Sequence, residues 1–118
     1  MNIAIVGSRT FNDYESMKKF ILNRIKIEEL EFVVSGGADG ADTLAEKFAE
    51  EFKIQMMVFR PDWGVYGKSA GMIRNKDIIS HSDIVFAFWD GKSKGTANSI
   101  KLANKDKKPC YMMRFKNE

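Results

Sequence analysis

Three short polar turns carry the residues best suited to chemistry in this sequence: Gly7-Ser8-Arg9-Thr10, Ser35-Gly36-Gly37-Ala38-Asp39-Gly40 and Gly91-Lys92-Ser93-Lys94-Gly95-Thr96. Each contains glycine, which lets backbone N–H groups approach an anion with no side chain in the way, and a helix start supplies unpaired donors and a partial positive charge. Phosphate is the anion such turns suit. Arg9 and Arg74 add guanidinium groups, which grip a phosphate through two hydrogen bonds. The glycine spacing excludes two familiar nucleotide fingerprints, because the second turn reads G-G-x-x-G rather than G-x-G-x-x-G and no G-x-x-x-x-G-K-[ST] run is present. A kinase or GTPase is therefore disfavoured. His81 is the only histidine and has no cysteine or second histidine beside it, so no metal site and no cofactor are expected.

The elements that must position these turns alternate regularly. Asn2 to Val6 reads as a β-branched strand, followed by a polar turn whose Asn12 or Asp13 can cap a helical pattern through Tyr14, Met17, Phe20, Ile21 and Ile25. Glu31 to Ser35 is a second strand. Ala41, Leu44, Ala45, Phe48, Ala49 and Phe52 then fall at i, i+3, i+4, i+7, i+8 and i+11, an apolar helical stripe that belongs to the core. Ile54 to Phe59 is a third strand, Arg60 to Gly71 a long loop, and a helix of about ten residues ends near His81. Loops of that length in a small domain are often functional. Asp83 to Phe88 is a fourth strand, Gly91 to Gly95 a turn, Thr96 to Lys105 a helix and Pro109 to Met113 a last strand. Met56, Met57, Met112 and Met113 lie in strands and read as core filler. This β-α alternation predicts an α/β fold with parallel neighbours, in which ligands bind outside the carboxyl ends of the strands. All three glycine turns fall there.

The 118 residues are 44% hydrophobic and 30% charged, the composition of an ordinary globular chain, and predict one domain over residues 1–118. One cysteine, Cys110, permits no internal disulfide, which fits a reducing, cytoplasmic setting. No run of about 18 apolar residues occurs, and Met1 to Gly7 is too short and uncharged for a signal peptide, so a soluble chain with no membrane partner is expected. The net charge of +3 favours anionic ligands without demanding nucleic acid. Lys105, Lys107 and Lys108 cluster at a helix end, where they complement the helix dipole.

The motifs together carry a family resemblance. Gly7-Ser8-Arg9 with Phe11 and Asp13, Ser35 to Asp42 with Leu44-Ala45, Asp62-Trp63 through Tyr66 to Gly71, Arg74-Asn75 and Gly95-Thr96-Ala97 resemble the successive motifs of the YspA-like branch of the SLOG superfamily. That superfamily also holds the DNA-processing protein DprA and the LOG phosphoribohydrolases. The resemblance runs from Asn2 to about Tyr111. It implies a Rossmann-like fold, with a mostly parallel five-stranded sheet sandwiched by helices, and a site for nucleotides or nucleotide-derived ligands such as ADP-ribose.

By the same resemblance, Gly36, Gly37 and Gly40 are a phosphate-facing loop, with a tight strand-to-helix turn as the alternative. Gly95 and Thr96 are a second loop, in which the Thr96 hydroxyl bonds a phosphate or caps its helix. Gly7, Ser8, Arg9, Ser35 and Arg74 complete the ligand set, and Asn75 is placed to read a base or ribose hydroxyl. Asp39 and Asp42 either stabilise the start of their helix or accept ribose hydroxyls. Trp63, Tyr66 and Lys68 form a lid or a stacking surface for a base, or else cover the sheet edge. LOG enzymes carry a glutamate after their Gly-Thr pair, and Ser99 stands at that position here, next to Asn98. Neither offers a carboxylate, so catalytic residues stay unassigned and a binding module is favoured over a hydrolase, in which Asp42 or Asp62 would have to substitute. The expected partner is a nucleotide-derived small molecule held by a sensor, carrier or sequestering protein. A DprA-like single-stranded nucleic-acid binder is the further alternative, with nucleic acid disfavoured. A homodimer is expected by analogy with related folds.

Overall fold

The computed structural model describes residues 1–116. Five strands, β1 (Asn2–Gly7), β2 (Phe32–Ser35), β3 (Gln55–Val58), β4 (Ile84–Trp89) and β5 (Cys110–Arg114), form one sheet in the order β3-β2-β1-β4-β5, with every neighbouring pair parallel. β1, β2 and β4 are runs of Ile, Val, Ala and Phe buried on both sides, as the central strands of a covered parallel sheet must be. The chain moves outward from β1 to β3, then returns to lay β4 on the other flank of β1. The order therefore reverses between β1 and β4. This is the place where open α/β sheets leave a crevice at their strand ends.

Helices α1 (Tyr14–Leu22) and α2 (Ala41–Glu51) cover one face, where Ile3, Ile5, Phe48, Phe86 and Phe88 meet Met17 and Ile21. α4 (Ala70–Ser80) and α5 (Lys94–Lys105) cover the other, against Ala4, Val6, Val34, Val85 and Ala87. The stripe on α2 packs as its spacing predicts, with Ala41, Ala45, Phe48 and Ala49 buried and Leu44 and Phe52 against the same cluster. Asp13 is the cap of α1, its carboxylate accepting from Ser16 N–H at 3.1 Å. α1 stops three residues short of Ile25, because the N–H groups of Asn23 and Arg24 close the last turn onto Lys19 and Ile21. Ile25 still reaches the core from the loop that follows.

Three expectations need correction. Residues 60–71 are not a long loop. Asp62 caps a one-turn helix α3 (Trp63–Tyr66), its carboxylate accepting from Val65 N–H at 3.1 Å, and a 3-10 turn over Gly67–Ser69 carries the chain into α4. Gly95 is not in a turn and Thr96 is not a cap, because Ser93 caps α5, accepting from Thr96 N–H, and places Gly95 in the first helical turn. Met112 is not core filler: β5 is an edge strand, and Met112 is 44% exposed, whereas Met56, Met57 and Met113 pack against the two clusters. At the basic end of α5 the Lys108 amine reaches back to the Ile79 carbonyl at the end of α4.

Candidate functional site

The crevice at the β1–β4 reversal is assembled around Ser8. Its N–H donates to Phe88 O at 2.9 Å and its carbonyl accepts from Phe11 and Ala41 N–H. Its hydroxyl accepts from Asp90 N–H at 3.2 Å, so one buried serine ties the loops after β1 and β4 to the start of α2. Gly40, at φ +75, brings its backbone directly onto Ser8 and Arg9, an approach that a side chain at this position would block.

Two adjoining cavities open here. The smaller, about 400 Å³, lies between Gly7, Ser8 and Arg9 on one side and Gly95, Thr96 and Ser99 on the other, with Asp42, Arg74, Asn75 and Asp90 completing it. The larger, about 710 Å³, runs outward past Gly36, Gly37, Arg60, Trp63 and Lys68 to Met72, Lys94 and Asn98. Arg9, Ala38, Arg74, Asn75 and Gly95 line both and form the wall between them. Both volumes fall in the range of small-molecule sites.

Of the residues singled out in the sequence, Gly7, Ser8, Arg9, Asp42, Arg74, Asn75, Gly95 and Thr96 meet in the smaller cavity. Gly36, Gly37, Trp63 and Lys68 join the larger. Ser35, Gly40 and Tyr66 line neither. Ser35 is buried beneath the loop and supports Asp42, whereas Tyr66 is half-exposed outside both cavities. Asp39 is exposed, and Asp62 is occupied as the α3 cap.

Asp42 gives the glycine loop its shape. Its carboxylate accepts from Ala38 N–H at 3.0 Å and is held also by Gly36 N–H and the Ser35 hydroxyl. An internal carboxylate thus takes donors that a glycine-rich loop would otherwise turn to a ligand. Arg74 lies beside it, its Nη1 donating to Gly36 O at 2.8 Å and its Nε to Asn75 Oδ1 at 3.0 Å. Asn75 passes the link on to Gly95 O at 3.4 Å, so α4 spans the loops after β2 and β4.

The charges are not balanced by this arrangement. Burial pushes the Asp42 carboxyl above its ordinary value despite its hydrogen bonds and Arg74. Burial, assisted by Arg9, pulls Arg74 below its ordinary value despite Asp42. Each group shifts as desolvation dictates and against what mutual pairing would do. An anion seated between Arg9 and Arg74 would relieve their repulsion. At the same spot α5 begins, where the N–H groups of its first turn have no intrahelical acceptor. Thr96 is 4% exposed, with its hydroxyl 3.2 Å from that of Ser93, and Ser99 is 2% exposed.

Arg60, Met72 and Asp90 were not singled out by sequence, and Lys94 entered only as part of the third turn. Asp90 has a local signal, since Asp-Gly-Lys-Ser is an Asx-turn pattern, and its Oδ1 accepts from the N–H groups of both Lys92 and Ser93 at 2.8 Å. Arg60 had none: it reaches Gly37 O at 3.2 Å only because β3 pairs with β2.

The family model of YspA, cpYpsA-related SLOG proteins (YAcAr) matches residues 1–66, more than half of the chain. The chain belongs to this family. Gene 61 protein of Mycobacterium phage D29 is 32% identical to this SLOG chain over 110 residues, covering 87% of it and 88% of the phage protein. Among solved structures, DNA processing protein A from Helicobacter pylori, described for its single-stranded DNA binding mode, superposes with a TM-score of 0.73 at 23% identity. DNA processing protein A (DprA) from Streptococcus pneumoniae gives 0.75 at 20% identity. These alignments cover 98% and 94% of this chain, which spans 66% and 49% of the two DprA chains. They show a shared Rossmann-like fold. The H. pylori likeness also overturns the expectation that disfavoured nucleic acid as a partner, because a protein of this fold binds single-stranded DNA. No helix among the described residues is long and apolar enough to cross a membrane.

Proposed function

We propose that this SLOG chain binds a nucleotide-derived small molecule of the ADP-ribose type, through a phosphate seated in the smaller cavity, and acts as a sensor, carrier or sequestering protein. The observation that carries this reading is the convergence of Arg9, Arg74 and the first turn of α5 on one cavity at the strand-order reversal. There Arg74 donates on to the glycine loop, and its repulsion by Arg9 calls for an anion between them. Gly95 and Thr96 would present the first turn of α5 to the phosphate, and Asn75 would face the sugar or base. Catalysis is left out of the proposal because Ser99 brings no carboxylate to the cavity and Asp42 is engaged by its own loop.

Native mass spectrometry after incubation with AMP, NAD, ADP-ribose and cyclic ADP-ribose tests the reading. An intact ligand retained without product is the expected result. Products accumulating with time would replace it with a phosphoribohydrolase, and the absence of any bound mass would refute it.

A second reading, single-stranded DNA binding, is favoured by the likeness to H. pylori DprA. Anisotropy titration of a fluorescent oligothymidylate separates the two, since DNA bound through its backbone weakens steeply with salt. A homodimer is proposed by analogy with related folds, and light scattering checks it.

A further inference from the structure

We infer that the larger cavity is a second anion subsite, built for a ligand that carries at least two phosphate groups and a planar base. This rests on the proposed phosphate role of the smaller cavity and extends it. The two cavities differ in charge. The smaller is lined by two cations and two carboxylates, whereas the larger adds Arg60, Lys68 and Lys94 to the shared Arg9 and Arg74 and has no carboxylate in its lining. Five cations facing one cavity repel one another, a cost that an anionic occupant removes.

The arrangement is built by the backbone and not left to chance. Gly37 sits at φ +70, and a Cβ there would stand 2.7 Å from Arg60 Nη1, so this glycine provides both the turn and the room for the guanidinium. Arg60 donates to Gly37 O, one bond from a group with five donors, and the rest of its fork is available to a phosphate. The other wall supplies a flat apolar surface. Trp63 is 57% exposed, and the edge of its indole would lie 3.7 Å from a Cβ on Gly71 at the start of α4. Met72, 61% exposed, lies in the same lining. An exposed indole beside clustered cations suits a base attached to phosphate, which stacks on one and pairs with the other. Asn98 contributes an independent sign. It lines this cavity, and its side-chain Nδ2 is buried with no hydrogen-bond partner, a donor that the fold itself does not use.

Two sources can supply this chemistry: a pyrophosphate-bridged nucleotide, or adjacent nucleotides of a single strand. Calorimetric titrations of AMP, ADP-ribose and 5′-phosphorylated thymidine dinucleotide test it on the wild type, on an Arg60→Gln/Lys68→Gln/Lys94→Gln variant and on Arg74→Ala. The three side chains of the triple variant are exposed, so the fold tolerates their exchange. The wild type should bind at least one of the two-phosphate ligands about tenfold or more tighter than AMP, and the triple variant should weaken the two-phosphate ligands far more than AMP, bringing that ratio to about one. A gain for ADP-ribose alone assigns the small molecule as source, and a gain for the dinucleotide alone assigns the strand. A wild type with no preference, or a triple variant that keeps the preference, overturns the second subsite. Arg74→Ala should weaken AMP as well. If it leaves AMP binding unchanged, the phosphate site in the smaller cavity is what fails.

Discussion

Replacing Arg74 with alanine removes three things at once: a positive charge facing both cavities, the hydrogen bonds to Gly36 O and Asn75 Oδ1, and the cation nearest the buried Asp42. The first governs the ligand. A charge-assisted hydrogen bond to phosphate contributes about 1.5–3 kcal/mol, which is about ten- to a hundredfold in Kd for ADP-ribose by calorimetry. The other two govern stability. A buried carbonyl without its donor, and a carboxylate without its neighbouring cation, cost about 1–3 kcal/mol together, or about 4–12 °C in Tm for a chain of this size. A second substitution separates the effects. Arg74→Ala/Asp42→Asn removes the uncompensated carboxylate and should recover part of the lost Tm but none of the lost affinity. The reasoning is refuted if Arg74→Ala binds ADP-ribose within about twofold of wild type, or if the double variant regains binding along with stability.

Gly37→Val should abolish binding in the larger cavity and lower Tm, since valine is strained at φ +70 and its side chain would displace Arg60; full affinity in the same titration would move the site elsewhere. Burial raises the Asp42 carboxyl above its ordinary value of 3.8, so the folded chain holds that proton more tightly than the unfolded chain does. That contribution is present in full below 3.8 and is lost as pH rises through the folded value, whereas Asp42→Asn has no such dependence. Thermal melts from about pH 3 to about pH 8 should show wild type losing ground to Asp42→Asn as pH rises, and a constant difference would contradict the assignment. Asp13→Ala removes the α1 cap and should cost about 0.5–2 kcal/mol in denaturant unfolding with no change in ligand affinity.

The order of strands and helices was legible because each carries its own period. The α2 stripe declares one apolar face, and the uninterrupted Ile-Val-Ala-Phe runs of β1 and β4 declare strands covered on both sides. Boundaries that depend on a cap were harder, since Ser93 and Thr96 are equally good capping types and only the turn set by Asp90 selects the first. Residues 60–71 misled because four glycines and prolines read as loop, whereas Asp62 closes a helical turn among them. Residues of the glycine loops line the crevice at the strand ends. Who uses their donors was invisible, because Asp42 sits one turn away in a helix whose start could as well have faced solvent. Arg60 was beyond reach altogether, since its partner lies 23 residues away across a strand pairing.

The hydrogen bonds that meet at Ser8 have a consequence for how fast and how cleanly the cleft works. With its N–H, carbonyl and hydroxyl bonded to β4, to its own loop and the start of α2, and to the loop after β4, the Ser8 corner of the smaller cavity is set by the fold itself and would need no ordering by a ligand. Under the proposed function, such a cleft would respond to concentration by simple occupancy, with a dissociation rate set by contacts rather than by a gate. Amide hydrogen exchange at Ser8, Ala41 and Asp90 should already be slow in the free protein, and it should slow little further when the cleft fills.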